Sequence, residues 1–381
     1  MKIAFIGQKG IPARQGGVEK HVQELATRLA DAGLDVTAYS RAHYTHSTRK
    51  TYKGVRIVNL PSINSKHLDA ITHSLIATFH AIITGADIIH YHGVGPSLLS
   101  WLPRVLSPRT TVIGTFHTID RHHQKWGSFA RLMLGLGERA VCRFPHQTIA
   151  VSQVLKKYSQ YRYDRETTYI PNGVTLNETP ASADILKELG LRKKQYIFVA
   201  SRLVQHKGIH TLIKAFASVD TDMKLVIAGD SSNTSGYVEQ LKKLAAKDSR
   251  VLLIGQYIGP DLETLFRDAY LFVQPSETEG LSIALLEAMV YGVPILISNI
   301  EENQEATAGN ALEFANRNIG DLTRQLKFAL KHPNFIRALA RSAKIRVAKH
   351  YDWDDIARQT IEVYKTAHRA PLAIKLKTST R

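Results

Sequence analysis

Short apolar runs of strand length alternate along this chain with longer segments whose apolar positions recur at helical spacing. In the first half the runs are KIAFIG, DVTAYS, GVRIVNL, ADIIHYH, TTVIGTFH and HQTIAVS; in the second they are YIFVAS, MKLVIAG, VLLIG, LFVQPS and PILIS. Runs of about four to eight residues rich in Val, Ile and aromatics, bounded by turn residues, read as buried strands. After the first of them, Val18, Val22, Leu25, Ala26 and Leu29 share one helical face, and Gly33 ends the helix. The same grammar twice over predicts an α/β protein of two doubly wound, Rossmann-like units. The break falls in IPNGVTLNETPASAD, rich in Pro, Asn, Gly, Ser and Thr. The expected organisation is residues 1–176, residues 177–351, a last helix over 352–368 with Asp352 or Asp354 near its start, and a basic tail over 369–381.

LDAITHSLIATFHAIITGADIIH is the most apolar long window, but Asp69, His73, His80 and Asp87 interrupt it. It reads as a helix followed by a strand, not a bilayer span. MKIAFIG runs straight into a glycine loop without the basic and apolar regions of a signal peptide, so a soluble chain is expected.

Candidate chemistry gathers where strands end. In PSETEGLSIALLEAM, Glu279 lies in the loop feeding a helix and Glu287 lies on that helix. Carboxylates beside the bare amides of Gly280, Leu281 and Ser282 suit a ligand carrying both hydroxyls and phosphate. In FVASRLVQHKGIHTLIKAF, Arg202 and Lys207 leave a loop after a strand, where open parallel sheets bind ligands. A guanidinium can grip phosphate bidentately and an ammonium acts as a point charge. Gly16 and Gly17 precede a helix start, and without Cβ atoms their amides can approach a diphosphate. A dinucleotide fingerprint is absent, because the glycines do not fit G-x-G-x-x-G and DVTAYSR ends without an acid. His117, followed by Asp120, ends one strand, and His90 and His92 end another.

These segments together resemble glycosyltransferase family 4, retaining sugar-nucleotide enzymes of GT-B fold. Glu279 and Glu287 match its E-x7-E motif, and Arg202 and Lys207 match G-R-L-x-x-x-K-G, with Ser201 replacing the usual Gly. Gly16-Gly17 resembles its G-G-x-E loop, IPNGV resembles the end of its N-terminal half, and His117 with Asp120 resembles its T-x-H-x-x-D segment. Here His117-Thr118-Ile119-Asp120-Arg121 stands where many relatives carry H-G-L-D-W. The resemblance covers residues 1–368 and implies an acceptor-side first unit, a donor-side second unit and a last helix that crosses back onto the first. It implies that Arg202 and Lys207 neutralise the donor diphosphate, Glu287 holds ribose hydroxyls, Glu279 holds the donor sugar and His117 contacts that sugar near the reacting carbon. Asp120 is expected on the acceptor side, and His90 and His92 either there or just behind the residues that line the cleft. No cofactor and no metal is implied; Asp220-Thr221-Asp222 spells D-x-D but is expected away from the cleft, and the histidine pairs lack carboxylate or cysteine partners at ligand spacing. Within the family the chain is most similar to bacterial enzymes that extend surface polysaccharide, lipopolysaccharide or capsule on a glycan or lipid-linked acceptor, with UDP-sugars the commonest donors and GDP-mannose and dTDP-rhamnose left open. Two other readings stay open: a nucleotide-sugar epimerase of the same fold, which would convert donor without acceptor, and a silent polysaccharide- or membrane-binding protein, which would release no nucleotide.

Composition adds partners. The chain has 381 residues, long for one core, with ordinary hydrophobic (44%) and charged (22%) fractions. Cys142 stands alone, which excludes an intrachain disulfide and fits a reducing compartment. The net charge of +17 is concentrated in residues 1–180, where Arg121, Lys125, Arg131, Arg139, Arg143, Lys156, Lys157, Arg162 and Arg165 interleave with Trp126, Phe129, Leu132 and Leu136. Such a surface suits anionic lipid. No nucleic-acid module is present, so nucleic acid is not an expected partner. The expected location is cytoplasmic, peripheral on the inner face of the membrane.

Overall fold

The computed structural model describes residues 1–14, 16–45, 49–65, 68–119, 127–175, 183–231 and 234–369. Two Rossmann-like α/β units account for them. The first sheet contains β1 (Lys2–Ile6), β2 (Asp35–Arg41), β3 (Thr51–Tyr52), β4 (Val55–Leu60), β5 (Ile88–His92), β6 (Thr111–Phe116), β7 (Gln147–Ala150) and β8 (Thr168–Tyr169). Their spatial order is β3-β4-β2-β1-β5-β6-β7-β8, parallel except for β3 against β4. The second sheet contains β9 (Tyr196–Ala200), β10 (Lys224–Ala228), β11 (Val251–Gly255), β12 (Leu271–Gln274), β13 (Ile295–Ser298) and β14 (Leu312–Phe314), in the order β11-β10-β9-β12-β13-β14. Every pairing in it is parallel. The six and five runs read from the sequence are all strands, and β3, β8 and β14 are additional, very short ones at or beside sheet edges.

Strand order reverses between β1 and β5 in the first sheet and between β9 and β12 in the second. The crevices that open beyond strand ends at such reversals are where open α/β sheets bind ligands. The loops after β1, β9 and β12 carry Gly16-Gly17, Arg202 to Lys207, and Glu279, so the topology delivers the motif segments to one place. Asp220 and Asp222 lie just before β10, at the opposite, N-terminal end of the strands, beside Arg250.

The last helix, Trp353–Arg369, packs on the first unit: Trp353, Ile356, Ala357, Tyr364 and Ala367 join a core with Phe5, Val22, Leu25 and Ile113. Asp352, not Asp354, caps it, accepting from the amides of Asp354 (2.9 Å) and Asp355 (3.1 Å). Gly173 of IPNGV leaves room for that packing, since a Cβ there would stand 2.6 Å from the Trp353 ring. The boundary at residues 176 and 177 lies outside the described residues, as does the tail after Arg369. Cys142 is buried, and burial pushes its thiol up to about 11. Among the described residues no helix is long and apolar enough to cross a membrane.

Candidate functional site

The loop after β9 and the loop after β12 are locked together by backbone. Gly208 has φ +67°, and a Cβ on it would stand 1.9 Å from the Pro275 carbonyl oxygen, so the lysine loop lies directly on the glutamate loop. The amide of Glu277 donates to the His206 carbonyl (2.7 Å). This seats the Lys207 ammonium 2.5 Å from Glu279 Oε1, which also accepts from Gln274 Nε2 at 2.7 Å. Arg202 is half-buried and has no carboxylate partner among the described residues. Its charge is felt by Lys9 after β1, whose ammonium is lowered first by burial and then, against Glu19, by Arg202.

Ser282 caps the helix Ile283–Val290, its hydroxyl accepting from the Leu285 amide at 3.3 Å, and Glu287 lies on the second turn. Glu287 is salt-bridged to Lys20 of the first unit. Burial pulls the Lys20 ammonium down, but Glu287, with Glu24 and Glu263, outweighs it and the net shift is upward. Gly17, at the start of the helix Gly17–Asp31, faces the same place: the nearest atom to a Cβ there is Ile283 Cδ1, 4.0 Å away.

At Gly280 the backbones of the two units meet. A Cβ on it would lie 1.6 Å from the His117 carbonyl oxygen. Only glycine lets the loop after β12 rest on His117. The Leu281 carbonyl accepts from Asn172 Nδ2 (2.7 Å), and Asn172 Oδ1 meets His21 Nδ1 (2.9 Å). His117 Nε2 is 3.2 Å from His92 Nδ1, and His21 meets the His117 ring edge-on, 4.8 Å between centroids. Burial lowers all three imidazoles, His21 to about 4 and His92 and His117 well below their ordinary value, so each is neutral at physiological pH. Their ligand atoms lie within 4.8 Å of one another, which makes them a group among the described residues that could gather round a metal ion.

The structure therefore brings Arg202, Lys207, Glu279, Gly280, Leu281, Ser282, Glu287, Gly16, Gly17 and His117 to one cleft. His92 stands behind His117. His90 does not reach the cleft: it is buried, with Nδ1 held by Tyr364 (2.7 Å) and Nε2 by Thr115 (2.7 Å), so the acceptor-side expectation for it is corrected to a structural one. Asp120 lies outside the described residues. Arg165, expected on the basic surface, instead donates to the Pro145 and His146 carbonyls (2.9 and 3.0 Å). Lys20, His21, Asn172 and Gln274 were not singled out from the sequence, although Lys20 and His21 follow the glycine pair by one turn and Asn172 sits in IPNGV. Glu302 was also missed. Burial, opposed by a hydrogen bond with its own amide, and then the neighbouring Glu279, Glu301 and Glu305 push its carboxyl up to about 7.

Family comparison decides what this cleft belongs to. Residues 15–178 match "Glycosyltransferase Family 4", and residues 182–346 match "Glycosyl transferases group 1". The chain belongs to glycosyltransferase family 4. It is a glycosyltransferase of the two-domain GT-B fold, and its C-terminal half is the one that carries the paired Lys207 and Glu279. A glycogen synthase from Mycobacterium tuberculosis is 25% identical over 97% of this chain and 95% of its own length. A phosphatidyl-myo-inositol mannosyltransferase from Mycobacterium leprae is 24% identical over 92% of this chain and 93% of its own. In structure, HepE from Anabaena in complex with UDP-glucose superposes with a TM-score of 0.79 at 19% identity, covering 96% of this chain and 100% of that one.

Proposed function

We propose that this glycosyltransferase moves a sugar from a nucleotide-sugar donor, a UDP-sugar, to a glycan or lipid-linked acceptor, with retention of configuration, in bacterial surface polysaccharide synthesis at the membrane's inner face. The observation that carries the reading is the Lys207–Glu279 pair set beside Arg202, under a glycine that rests on His117. In it, Arg202 and Lys207 offset charge as the diphosphate leaves, an electrostatic contribution preorganised by the loop packing. Glu287 holds the ribose, Glu279 orients the donor sugar, and neutral His117 contacts that sugar from the acceptor side. Two cations suffice for the leaving group, so no metal step is assigned. The UDP-glucose bound by HepE and the phosphatidyl-inositol acceptor named for the mycobacterial relative support the donor and acceptor classes.

A thermal-shift screen against UDP, GDP and dTDP and their sugars tests it. A matched ligand at about a hundredfold its dissociation constant adds roughly 2.7 kcal/mol of stability. No shift with any of them sinks the reading. Anomeric NMR of the product then checks retention.

A further inference from the structure

The helix Asp69–Ile83 is built inside out. Facing the first sheet it buries His73, Ser74, Ala77, Thr78 and Ala81. Its exposed positions are Leu75, Ile76, Phe79 and Ile83, all large and apolar, and Ile83 keeps 82% of its surface. A surface helix of a water-soluble unit puts its apolar stripe inward, so this arrangement asks for an apolar medium outside. Thr78 shows that the inward face is fitted and not accidental, its hydroxyl 2.8 Å from the Tyr91 hydroxyl.

Two further helices of this unit also carry exposed apolar residues. Trp101, Val105 and Leu106 are exposed on and beside the helix Leu102–Leu106, and Leu132, Leu136 and Phe144 on and beside the helix Ser128–Arg143. All three helices cover the same side of the sheet. Ala77 and Ala81 pack with Val112, Val141 packs with Phe116, and Val112 and Phe116 share a face of β6 by alternation. The exposed charges on these helices and just after the second of them are Arg104, Arg109, Arg131, Arg139 and Arg143. Neither acid of these helices is exposed: Asp69 is paired with Arg41 (2.6 Å), and Glu138 is buried, accepting from Tyr158 and Tyr163 (2.9 Å each).

We infer that this face, centred on Leu75, Ile76, Phe79 and Ile83 and rimmed by arginine, seats in one leaflet of an anionic lipid bilayer. Charge chooses the occupant. A second copy would bring arginine rim against arginine rim, whereas lipid phosphate complements it. The inference deepens the proposed membrane location, which it rests on, and alters its physics. Arginine alone gives attraction that salt screens, while inserted Phe, Ile and Leu give a salt-resistant part.

The test is sedimentation of the full chain with phosphatidylcholine vesicles, with and without about one third phosphatidylglycerol, at low salt and at about 0.5 M. Wild type binds the anionic vesicles and keeps a substantial fraction bound at high salt. Phe79→Ser with Ile83→Ser loses that fraction and weakens partition at least about tenfold. Arg131→Gln with Arg139→Gln and Arg143→Gln loses mainly the low-salt binding. Quenching of Trp101 by brominated lipid, absent in Trp101→Phe, locates the contact. Unchanged melting temperature and UDP affinity in the variants keep this result separate from the donor-site reading. Vesicle binding by the serine variant equal to wild type overturns the inference, as does a wild-type dimer that the serine variant abolishes.

Discussion

Lys20, on the first helix of the N-terminal domain, is salt-bridged to Glu287, on the helix that follows the Glu279 loop in the other domain. The carboxylate assigned to the ribose is thus already engaged from across the cleft. A nucleotide that uses Glu287 must share it with an ammonium whose own charge the pair stabilises. Lys20→Met is therefore expected to tighten UDP binding a few-fold in calorimetry. Weaker binding in that variant would make Lys20 part of the donor site and not its competitor.

The lysine loop gives a sharper expectation. Lys207→Ala or Arg202→Ala should lower turnover by at least about a hundredfold, the scale of single groups in a preorganised electrostatic site. Neither side chain contributes to a hydrophobic core, so circular dichroism and melting temperature should stay near wild type. Turnover within a few-fold of wild type for both would remove the diphosphate assignment.

The two glutamates should separate in binding and rate. Glu287→Gln is expected to weaken binding of free UDP, because its proposed ligand contact is the ribose. Glu279→Gln should leave UDP affinity nearly intact and lower the rate with the whole donor, since its proposed contact is the donor sugar and its carboxylate is braced by Lys207 and Gln274. Equal losses of UDP affinity in both variants would dissolve this division of labour.

Metal should not matter to turnover. Arg202 and Lys207 balance the leaving group in the proposed chemistry, and Asp220 and Asp222 stand at the opposite, N-terminal end of the strands. Activity is expected to survive chelator unchanged. Loss restored by Mn²⁺ or Mg²⁺ would require a metal in the reaction.

Stability should fall in mild acid. His21 is held at about 4 in the folded chain by burial, against the pull of its bond to Asn172, and titrates near about 6.5 when unfolded. Between those values the unfolded chain binds more protons, so stability present in full above pH about 6.5 is lost as pH drops toward about 4. His21 alone is worth on the order of 3 kcal/mol across that window. Melting temperatures from pH 4 to 7 check this, and the slope should shrink in His21→Phe.

The alternation of strands and helices, the two-unit division and the loops that carry the chemistry were legible in the chain because periodicity and turn chemistry are local properties. Arg202, Lys207, Glu279 and Glu287 were legible for a related reason: each motif is a short segment whose function needs residues close in sequence. Strands β3, β8 and β14 were not, since two or three residues show no period and depend on a neighbouring strand for their hydrogen bonds.

What tertiary structure alone decided is which distant groups meet. The contact of Gly280 with His117, the reach of Lys20 to Glu287 and the clustering of His21, His92 and His117 join segments from different strands, and no local rule places them together. His90 and His92 look alike in sequence, both on the same side of β5, yet Tyr364 of the returning helix takes the first into the core and leaves the second behind His117. The helix Asp69–Ile83 makes the same point. Its apolar residues were plain in the sequence, but periodicity cannot say which face meets the sheet. Packing decided that: the small and polar side fits against β1 and β5, and the large apolar side is left facing outward.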